Sequence, residues 1–234
     1  MGSLFLTSAM VGTLSASAAS YKRISGVCQY PQETDYWCGY AAFQSAINNE
    51  QRIKNMVNSY NYIWSQTDVA NYMEDHYNMH PYDNSYYNGK DGSLSWYTGG
   101  KDVDSDRKYY PVALALTELT KSFTWAPYGC GTTGASELKA SEVKWRIVST
   151  LNGNHAVLAL GVSNPNGSSY IPGYPNRWTR HWICLDGYKD YGNSVWIVDP
   201  AASSSHCTGF NISRYYSVSI DKFTDFAYRG GIIW

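Results

Sequence analysis

The sequence predicts an α+β fold in which helices come first along the chain and antiparallel strands follow. Four segments with apolar residues at helical spacing lie before Asn154. After Asn154 the apolar runs are short and rich in β-branched and aromatic residues, which is typical of strands. Because the helices do not alternate with the strands, we expect an antiparallel sheet rather than a parallel βαβ arrangement. A chain of 234 residues is long enough for one well-filled domain.

The N-terminal segment has the pattern of a signal peptide. An apolar run over residues 4–14 is followed by Ala-Ser-Ala ending at Ala18, a sequence that signal peptidase accepts. We therefore expect a signal peptide at residues 1–18, a mature domain at residues 19–234 and a secreted protein. No Lys or Arg precedes the apolar run, and the alternative is a buried N-terminal helix.

Cys38 is predicted to lie at the start of the first helix. Small apolar residues recur at helical spacing from Cys38 to about Ile53, with Asn48 and Asn49 near the expected end. The unpaired N–H groups and the dipole of a helix favour negative charge at its N-terminus. A thiolate is therefore favoured at this position.

Three more helices are predicted before the strands. The second follows Ser65 and has Thr67 as its N-cap, and the third begins at Pro111, where the missing proline N–H costs nothing. The fourth begins at Ser136 and stops at Gly153. Between the second and third helices, residues 78–108 are rich in Gly, Asn, Asp and Ser and read as a long loop.

Apolar runs after Asn154 predict the strands. Val, Ile, Leu and aromatic residues dominate each run, as they do in buried strands. Two of the runs also carry a polar residue at one end, namely His181 at the start of one and Asp199 directly after another. The predicted strands cover residues 155–162, 182–185, 194–198, 215–220 and 231–234.

The charge balance excludes some partners. The chain has 18 basic and 19 acidic residues, for a formal net charge of -1, so it offers no electrostatic surface for nucleic acid and no polybasic membrane patch. No segment after the N-terminal run approaches membrane-spanning length. We expect a monomer without a nucleic-acid partner and without stable membrane association. The high aromatic and low charged fractions, both 16%, are typical of extracellular proteins that contact peptides or glycans.

Five cysteines leave one over after any complete pairing. In an exported protein, the odd cysteine is a candidate reactive thiol. If Cys38 is that thiol, the other four allow three complete pairings, and the spacing does not choose among them. No Cys-x-x-Cys pair is present, so a zinc site is not indicated. These four cysteines are Cys28, Cys130, Cys184 and Cys207.

Four residues form the strongest functional pattern. Gln32 precedes Cys38 by six residues in the segment Gln-Glu-Thr-Asp-Tyr-Trp-Cys, and small residues follow. His181 begins an apolar run, and Asp199 closes the next one before a proline. Thiol-based acyl transfer requires such a set, because a thiolate attacks, an imidazole moves the proton and a third group fixes the imidazole tautomer.

This arrangement resembles the bacteriocin-leader-processing peptidase-like branch of the papain-like cysteine peptidases, in its secreted bacterial form. The resemblance rests on the Tyr-Trp-Cys-Gly segment ending at Gly39, on the run from His181 to Asp-Gly-Tyr, and on Asp199-Pro. It spans about residues 26–234. The resemblance implies a papain-like fold, in which a helical lobe with the nucleophile at a helix N-terminus packs on a C-terminal antiparallel β lobe.

The resemblance also implies the role of each residue. Cys38 matches the nucleophile, His181 the general base and later acid, and Asp199 the residue that orients the imidazole. Gln32 matches the glutamine that, together with the backbone N–H of Cys38, donates to the developing oxyanion. No cofactor is implied, and the substrate is a peptide or protein.

Several residues are rival candidates for these roles. Gln29 competes for the oxyanion role, and His155 also begins an apolar strand and could serve as the base. Cys130 is a rival nucleophile, although no glutamine precedes it at the required spacing. We rank these below the first set because the strand after His155 does not end in Asp-Pro.

Two metal patterns are weak. His76 and His80 are four residues apart, but the adjacent Pro81 indicates a fraying helix end. Residues 102–106 begin like a calcium loop but lack its required glycine and glutamate. We therefore expect solvated loop residues at both places rather than metal ligands.

The function expected from the sequence is that of a secreted bacterial cysteine peptidase acting without a cofactor. A non-catalytic module on the same scaffold, binding peptide or cell-wall material through aromatic residues, is the first alternative. A transglutaminase-like acyltransferase, which passes the acyl group to an amine instead of water, is the second.

Overall fold

The structure is a computed structural model, and parts of the chain fall outside its description. The predicted signal peptide at residues 1–18 and the predicted loop at residues 78–108 both lie outside the described residues. The described ranges are residues 19–58, 63–77, 111–121, 123–129, 138–228 and 230–234.

Within these ranges the helices and strands separate along the chain much as the sequence predicts. Four of the five described helices precede the long strands. The helices are α1 (Cys38–Asn58), α2 (Gln66–Tyr77), α3 (Pro111–Thr120), α4 (Ala140–Asn152) and α5 (Ile220–Ala227). The strands are β1 (Tyr21–Arg23), β2 (Pro127–Tyr128), β3 (Val157–Ser163), β4 (Thr179–Lys189), β5 (Ser194–Val198), β6 (Tyr215–Ser219) and β7 (Ile232–Ile233).

The strands form one antiparallel sheet in the order β2-β7-β3-β4-β5-β6, and β1 pairs with β4. The central strand β4 places His181 opposite Gly161 of β3. On its other side, β5 ends at Val198, opposite Cys184 of β4. The sheet therefore brings the residue after β5, Asp199, to the same end of β4 as His181.

Helix α1 is buried on every side over residues 39–50, although many of its side chains are polar. Several of these side chains are hydrogen-bonded to other segments, as is usual for buried polar groups. The Asn48 side chain donates to the Trp64 carbonyl at 2.9 Å and accepts from the Trp64 N–H at 2.8 Å. Asn49 donates to the Asn154 carbonyl at 2.9 Å. The helix is thus fixed to both lobes, and its first residue cannot shift independently of them.

Several expectations about helices are wrong in detail, and α4, for one, begins at Ala140 rather than at Ser136. Helix α1 continues past Asn48 and Asn49 to Asn58, because these asparagines bond to neighbouring segments instead of ending the helix. Helix α2 is capped by Ser65 rather than Thr67, since the Ser65 hydroxyl accepts from the Asp68 N–H at 3.1 Å. Helix α5 follows β6 directly and was not predicted, because its eight residues give too little periodicity after a strand-like run.

The described helices and strands share one hydrophobic core, in which α1 packs against β4. In the described part of the chain, no helix combines the length and the apolar character needed to cross a membrane. The fold is a mixed α+β arrangement of helices on an antiparallel sheet, as the sequence predicts.

Candidate active site

Cys38 is the first residue of α1 and is partly exposed at the floor of a cleft of about 250 Å³. A residue at the first helical position has no helical acceptor for its N–H, which is therefore available to a ligand. Trp37 before it is buried and packs edge-on against Tyr40, with ring centroids 5.4 Å apart. The thiol therefore sits on a rigid helix end that faces the cleft.

His181 is the third residue of β4, and not its first as the sequence suggested. Its Nε2 atom is 2.8 Å from Oδ1 of Asp199. The side chain of Cys38 is also near enough to the imidazole to contribute to the raised pKa of His181, and Nδ1 is the ring nitrogen that Asp199 leaves open. The imidazole is thus held between a carboxylate and the thiol.

Two opposing effects act on the imidazole. Burial by itself lowers the pKa of His181, but the charge and hydrogen bond of Asp199, with smaller contributions from Cys38, raise the pKa to about 10. An imidazolium is therefore stabilised at neutral pH.

Asp199 is fully buried directly after β5. Its Oδ1 atom accepts from the Ala201 N–H at 2.9 Å, in addition to facing His181. Burial alone raises the pKa of this carboxyl group, yet the pKa lies below its ordinary value because of the His181 charge and the hydrogen bonds that Asp199 accepts. The carboxylate is consequently ionised beside the imidazole.

Two tyrosines that the sequence analysis missed complete this arrangement. Tyr174, in the connection between β3 and β4, donates its hydroxyl to Oδ2 of Asp199 at 2.6 Å. Tyr216 on β6 donates to the same atom at 2.7 Å. Burial and the nearby charge of Asp199 raise the pKa of both tyrosines well above the usual value, so both remain neutral donors. Neither spacing nor a motif marks them among the 22 tyrosines of the chain.

Gln32 lines the same cleft as Cys38 and His181. Its amide nitrogen donates to the carbonyls of Thr34 at 2.7 Å and Asp35 at 3.2 Å. The amide oxygen is buried and has no hydrogen-bond partner among the described residues. The side chain therefore lies in the cleft, but both of its N–H groups are engaged with the loop that leads to Cys38.

Gln29, the rival oxyanion candidate, has a different position. Its amide nitrogen donates to the Asp199 carbonyl at 3.0 Å and to the Ala202 carbonyl at 2.8 Å. These bonds fix the backbone on either side of Pro200. The structure thus ties Gln29 to the segment after β5 rather than to the cleft, and its side chain holds Asp199 in place.

His155, the rival base, is directed away from Cys38. Its Nδ1 atom is 2.9 Å from the Glu50 carboxylate, and its ring stacks on Phe123 at 4.1 Å. Glu50 follows Cys38 by twelve residues on α1, which is about 18 Å along a helix. His155 is therefore not brought to the thiol. The rival nucleophile Cys130 and residues 102–106 lie outside the described residues.

A second thiol, Cys207, lines the cleft with Cys38. Burial raises the pKa of Cys207 to about 12, a hydrogen bond with Ser204 opposes the shift, and the nearby Cys38 adds to it. Cys207 is therefore protonated at neutral pH. Cys38, Cys207 and the fully buried Cys184 are all free thiols.

The Asp-Gly-Tyr segment that follows His181 has a structural role. Asp186 is buried and pairs with Arg23 of β1, and burial raises the pKa of Asp186 to about 6 although Arg23 opposes this. A side chain on Gly187 would come within 2.3 Å of the Lys22 carbonyl. The segment therefore allows β1 to pair closely with β4.

The structure gives no support to the two weak metal patterns in the residues that it describes. His76 stacks on Tyr72 at 4.1 Å, and its proposed co-ligand His80 lies outside the described residues. Among the residues that the structure describes, no three His, Cys, Asp or Glu side chains cluster as metal ligands would.

Comparisons with known proteins place the chain in a family. The model of the Peptidase_C39-like family matches residues 24–219. Xylellain, a cysteine protease from Xylella fastidiosa, is 13% identical in structural alignment with a TM-score of 0.46, over 93% of this chain and 86% of that one. Digestive procathepsin L2 from the larval midgut of Tenebrio molitor is 11% identical with a TM-score of 0.42, over 94% of this chain and 68% of that one. No curated protein matches the chain. Since the family model covers most of its length, the chain belongs to the Peptidase_C39-like family of peptidases.

Proposed function

We propose that the protein is a secreted peptidase that hydrolyses peptide bonds through Cys38, His181 and Asp199, with Gln32 in the oxyanion hole. The observation that carries this proposal is the position of the His181 imidazole, held between a buried carboxylate and a thiol at a helix N-terminus. Membership of a peptidase family supports peptide or protein substrates.

The reaction begins with attack of the Cys38 thiolate on the scissile carbonyl carbon, which forms a C–S bond and an oxyanion. When the C–N bond breaks, the His181 imidazolium gives its proton to the leaving amine. The neutral imidazole then takes a proton from water, whose oxygen attacks the thioester and releases Cys38 as a thiolate. Asp199 keeps the imidazole in one orientation through both halves of the reaction.

The developing oxyanion requires donors near the first turn of α1. The backbone N–H of Cys38 is one donor, since it has no acceptor within the helix. Gln32 supplies the second by exchanging one of its two loop bonds for the substrate oxygen. The longer bond, 3.2 Å to Asp35, is the one that the exchange would break.

Aromatic side chains on the cleft rim offer surface for substrate residues. Trp178 and Tyr36 both line the cleft and are 57% and 38% exposed. Large exposed aromatic side chains favour contacts with peptide chains because they bury much area with little loss of entropy. The substrate chain is therefore expected to cross the cleft beside these rings.

Labelling with a thiol-directed epoxide tests the proposal. The mature protein, starting at Ala19, is incubated with the inhibitor under reducing conditions, and the adduct is located by mass spectrometry. His181→Ala should abolish labelling of Cys38, whereas the matched variant His155→Ala should label like the wild type. Labelling that is absent, or indifferent to His181, would favour the non-catalytic binding module.

Product analysis then distinguishes hydrolysis from acyl transfer. A peptide library is digested with and without an added primary amine, and the products are identified by mass spectrometry. A new carboxyl terminus in both cases supports a peptidase. An amide formed with the added amine as the main product would instead support a transglutaminase-like enzyme.

Secretion is proposed from the N-terminal sequence alone. The protein is expressed with residues 1–18 in a bacterial host, and the N-terminus of the protein in the medium is sequenced. An N-terminus at Ala19 is the expected result. Retention in the cells with residues 1–18 intact would overturn this part of the proposal.

A further inference from the structure

The two oxygens of the Asp199 carboxylate have different sets of donors. Oδ1 faces His181 at 2.8 Å and the Ala201 N–H at 2.9 Å. Oδ2 accepts the Tyr174 hydroxyl at 2.6 Å and the Tyr216 hydroxyl at 2.7 Å. One oxygen thus serves the imidazole, while the other is held by two phenols.

A buried carboxylate is costly unless its oxygens are hydrogen-bonded. The exposed fraction of Asp199 is 0%, so solvent water does not replace a missing donor. Both phenol distances fall at or near the short range of hydrogen bonds to a charged oxygen, which are stronger than neutral ones. The two hydroxyls therefore provide much of the stabilisation that allows this carboxylate to stay ionised.

The tyrosines are themselves held in place. Tyr216 lies on β6, which pairs with β5 immediately before Asp199. The Tyr174 ring packs edge-on against the His181 ring, with centroids 5.6 Å apart, and edge-on against Phe210 at 4.8 Å. The two hydroxyls are 3.3 Å from each other. Because each ring is fixed by packing, the hydroxyls define the plane of the carboxylate as well as its charge.

We propose that Tyr174 and Tyr216 are positioning residues that clamp Oδ2 of Asp199 so that Oδ1 holds the His181 imidazole toward Cys38. This inference rests on the proposed function, since it assumes that His181 acts on Cys38. Neither hydroxyl is bonded to Cys38 or His181, and both hydroxyls act through Asp199.

The clamp has a consequence for pH dependence. The titratable groups that face Asp199 are His181, Tyr174, Tyr216 and, from the following loop, Cys207. The phenol hydrogen bonds help to lower the pKa of Asp199, so their loss raises it. A protonated Asp199 no longer stabilises the imidazolium. As the pH is lowered, a variant without the phenol hydroxyls should therefore lose activity at a higher pH than the wild type does.

The test is a double-mutant cycle of Tyr174→Phe and Tyr216→Phe, which removes hydroxyls and keeps rings. Each single variant should lower kcat about tenfold, because one donor to Oδ2 remains. The double variant should lose more than the product of the single effects, since no donor from the described residues then remains on Oδ2. KM should change little, and the acidic limb of the kcat/KM profile should move to higher pH.

Tyr188→Phe is the matched control. Tyr188 is fully buried, lies on β4 and donates its hydroxyl to Asn152 at 2.8 Å, away from the cleft. Its loss should lower the free energy of unfolding without moving the pH profile. Should the double variant fail to fold, the single variants decide, because each removes one donor and shifts the acidic limb in the same direction.

Two outcomes separate this inference from the proposed function. If folded Tyr→Phe variants keep the wild-type kcat and acidic limb while Asp199→Ala is inactive, the clamp is overturned and the proposed function stands. If Asp199→Ala keeps full activity, the role of Asp199 itself fails, and the clamp with it. Nuclear magnetic resonance titration of the His181 imidazole, with and without the two hydroxyls, gives a readout that does not depend on turnover.

Discussion

Two histidine–carboxylate pairs with buried carboxylates have nearly the same length and very different surroundings. His181 and Asp199 approach to 2.8 Å, and His155 and Glu50 to 2.9 Å. The exposed fraction of the carboxylate side chain is 0% in the first pair and 1% in the second. By the geometry of the pair alone, either histidine qualifies as a general base.

The surroundings decide between them. The first imidazole also reaches Cys38, whereas the ring of His155 is covered by Phe123. Oδ2 of Asp199 has two phenol donors, while Glu50 is approached by Asn49 at 3.4 Å. The catalytic role proposed for His181 therefore depends on the thiol and the donors around its pair, whereas the His155–Glu50 pair joins α1 to the segment before β3.

The largest effect is expected from removing the thiol that distinguishes the two pairs. Cys38→Ala should lower kcat on the order of 10⁶-fold, the scale seen when an enzyme loses its nucleophile. The free energy of unfolding should change little, because Cys38 is partly exposed. Peptide hydrolysis and thermal unfolding measure the two quantities.

Cys184→Ala is the control for this change. Cys184 is a fully buried free thiol on β4, so its truncation should destabilise the fold and leave kcat/KM unchanged. If Cys38→Ala still hydrolysed peptides at a substantial rate, the nearby thiol would not distinguish the His181–Asp199 pair from the His155–Glu50 pair.

The second largest effect should come from the two carboxylates. Asp199→Ala is expected to lower kcat by about 10²–10⁴-fold, the usual range for general acid–base catalysis, because His181 loses its orienting partner. Glu50→Ala removes the corresponding carboxylate from His155 and should leave kcat within about twofold while lowering the free energy of unfolding by about 1–3 kcal/mol. Steady-state kinetics and chemical denaturation of both variants test the comparison. Equal kinetic losses would contradict it.

The third largest effect on kcat should come from the glutamine side chains near His181 and Asp199. Gln32→Ala is expected to lower kcat by about 10²–10³-fold if its amide joins the oxyanion hole. Gln29→Ala removes two bonds to the backbone around Asp199, so we expect mainly a loss of stability. If Gln32→Ala and Gln29→Ala lowered kcat by the same factor, Gln32 would not be the oxyanion donor.

The smallest effect concerns the dependence of stability on pH. The pKa of His181 is raised to about 10 by Asp199 and Cys38 against the effect of burial, above the unfolded value of about 6.5. Its contribution to stability is therefore fully present below the unfolded pKa and is lost as the pH rises toward about 10. The difference in unfolding free energy between the wild type and His181→Ala should shrink over that range. In His155→Ala, the unfolding free energy should still fall with rising pH as it does in the wild type. If this fall disappeared in His155→Ala and not in His181→Ala, the pH dependence would belong to His155 instead of His181.

Some parts of the fold and the site could be predicted because they depend on local sequence. The order of the helices and strands follows from periodicity. The bounds of β5 are predicted correctly because turn residues precede this short apolar run and Asp-Pro follows it. Pro111 marks the start of α3 for the same local reason. Helix α5 and the short strand β1 have too few residues to produce a period, so neither was predicted.

The sequence by itself determined that a cysteine begins a helix after a glutamine, that a histidine lies near the start of one strand and that an aspartate directly follows another, because these features are local. Only the tertiary structure decided that His181 and not His155 reaches Cys38, that Gln29 supports the backbone, and that Tyr174 and Tyr216 hold Asp199. The tyrosines are 25 and 17 residues away from Asp199 along the chain. Strand register and packing bring them to the carboxylate, and no sequence period encodes contacts of that kind.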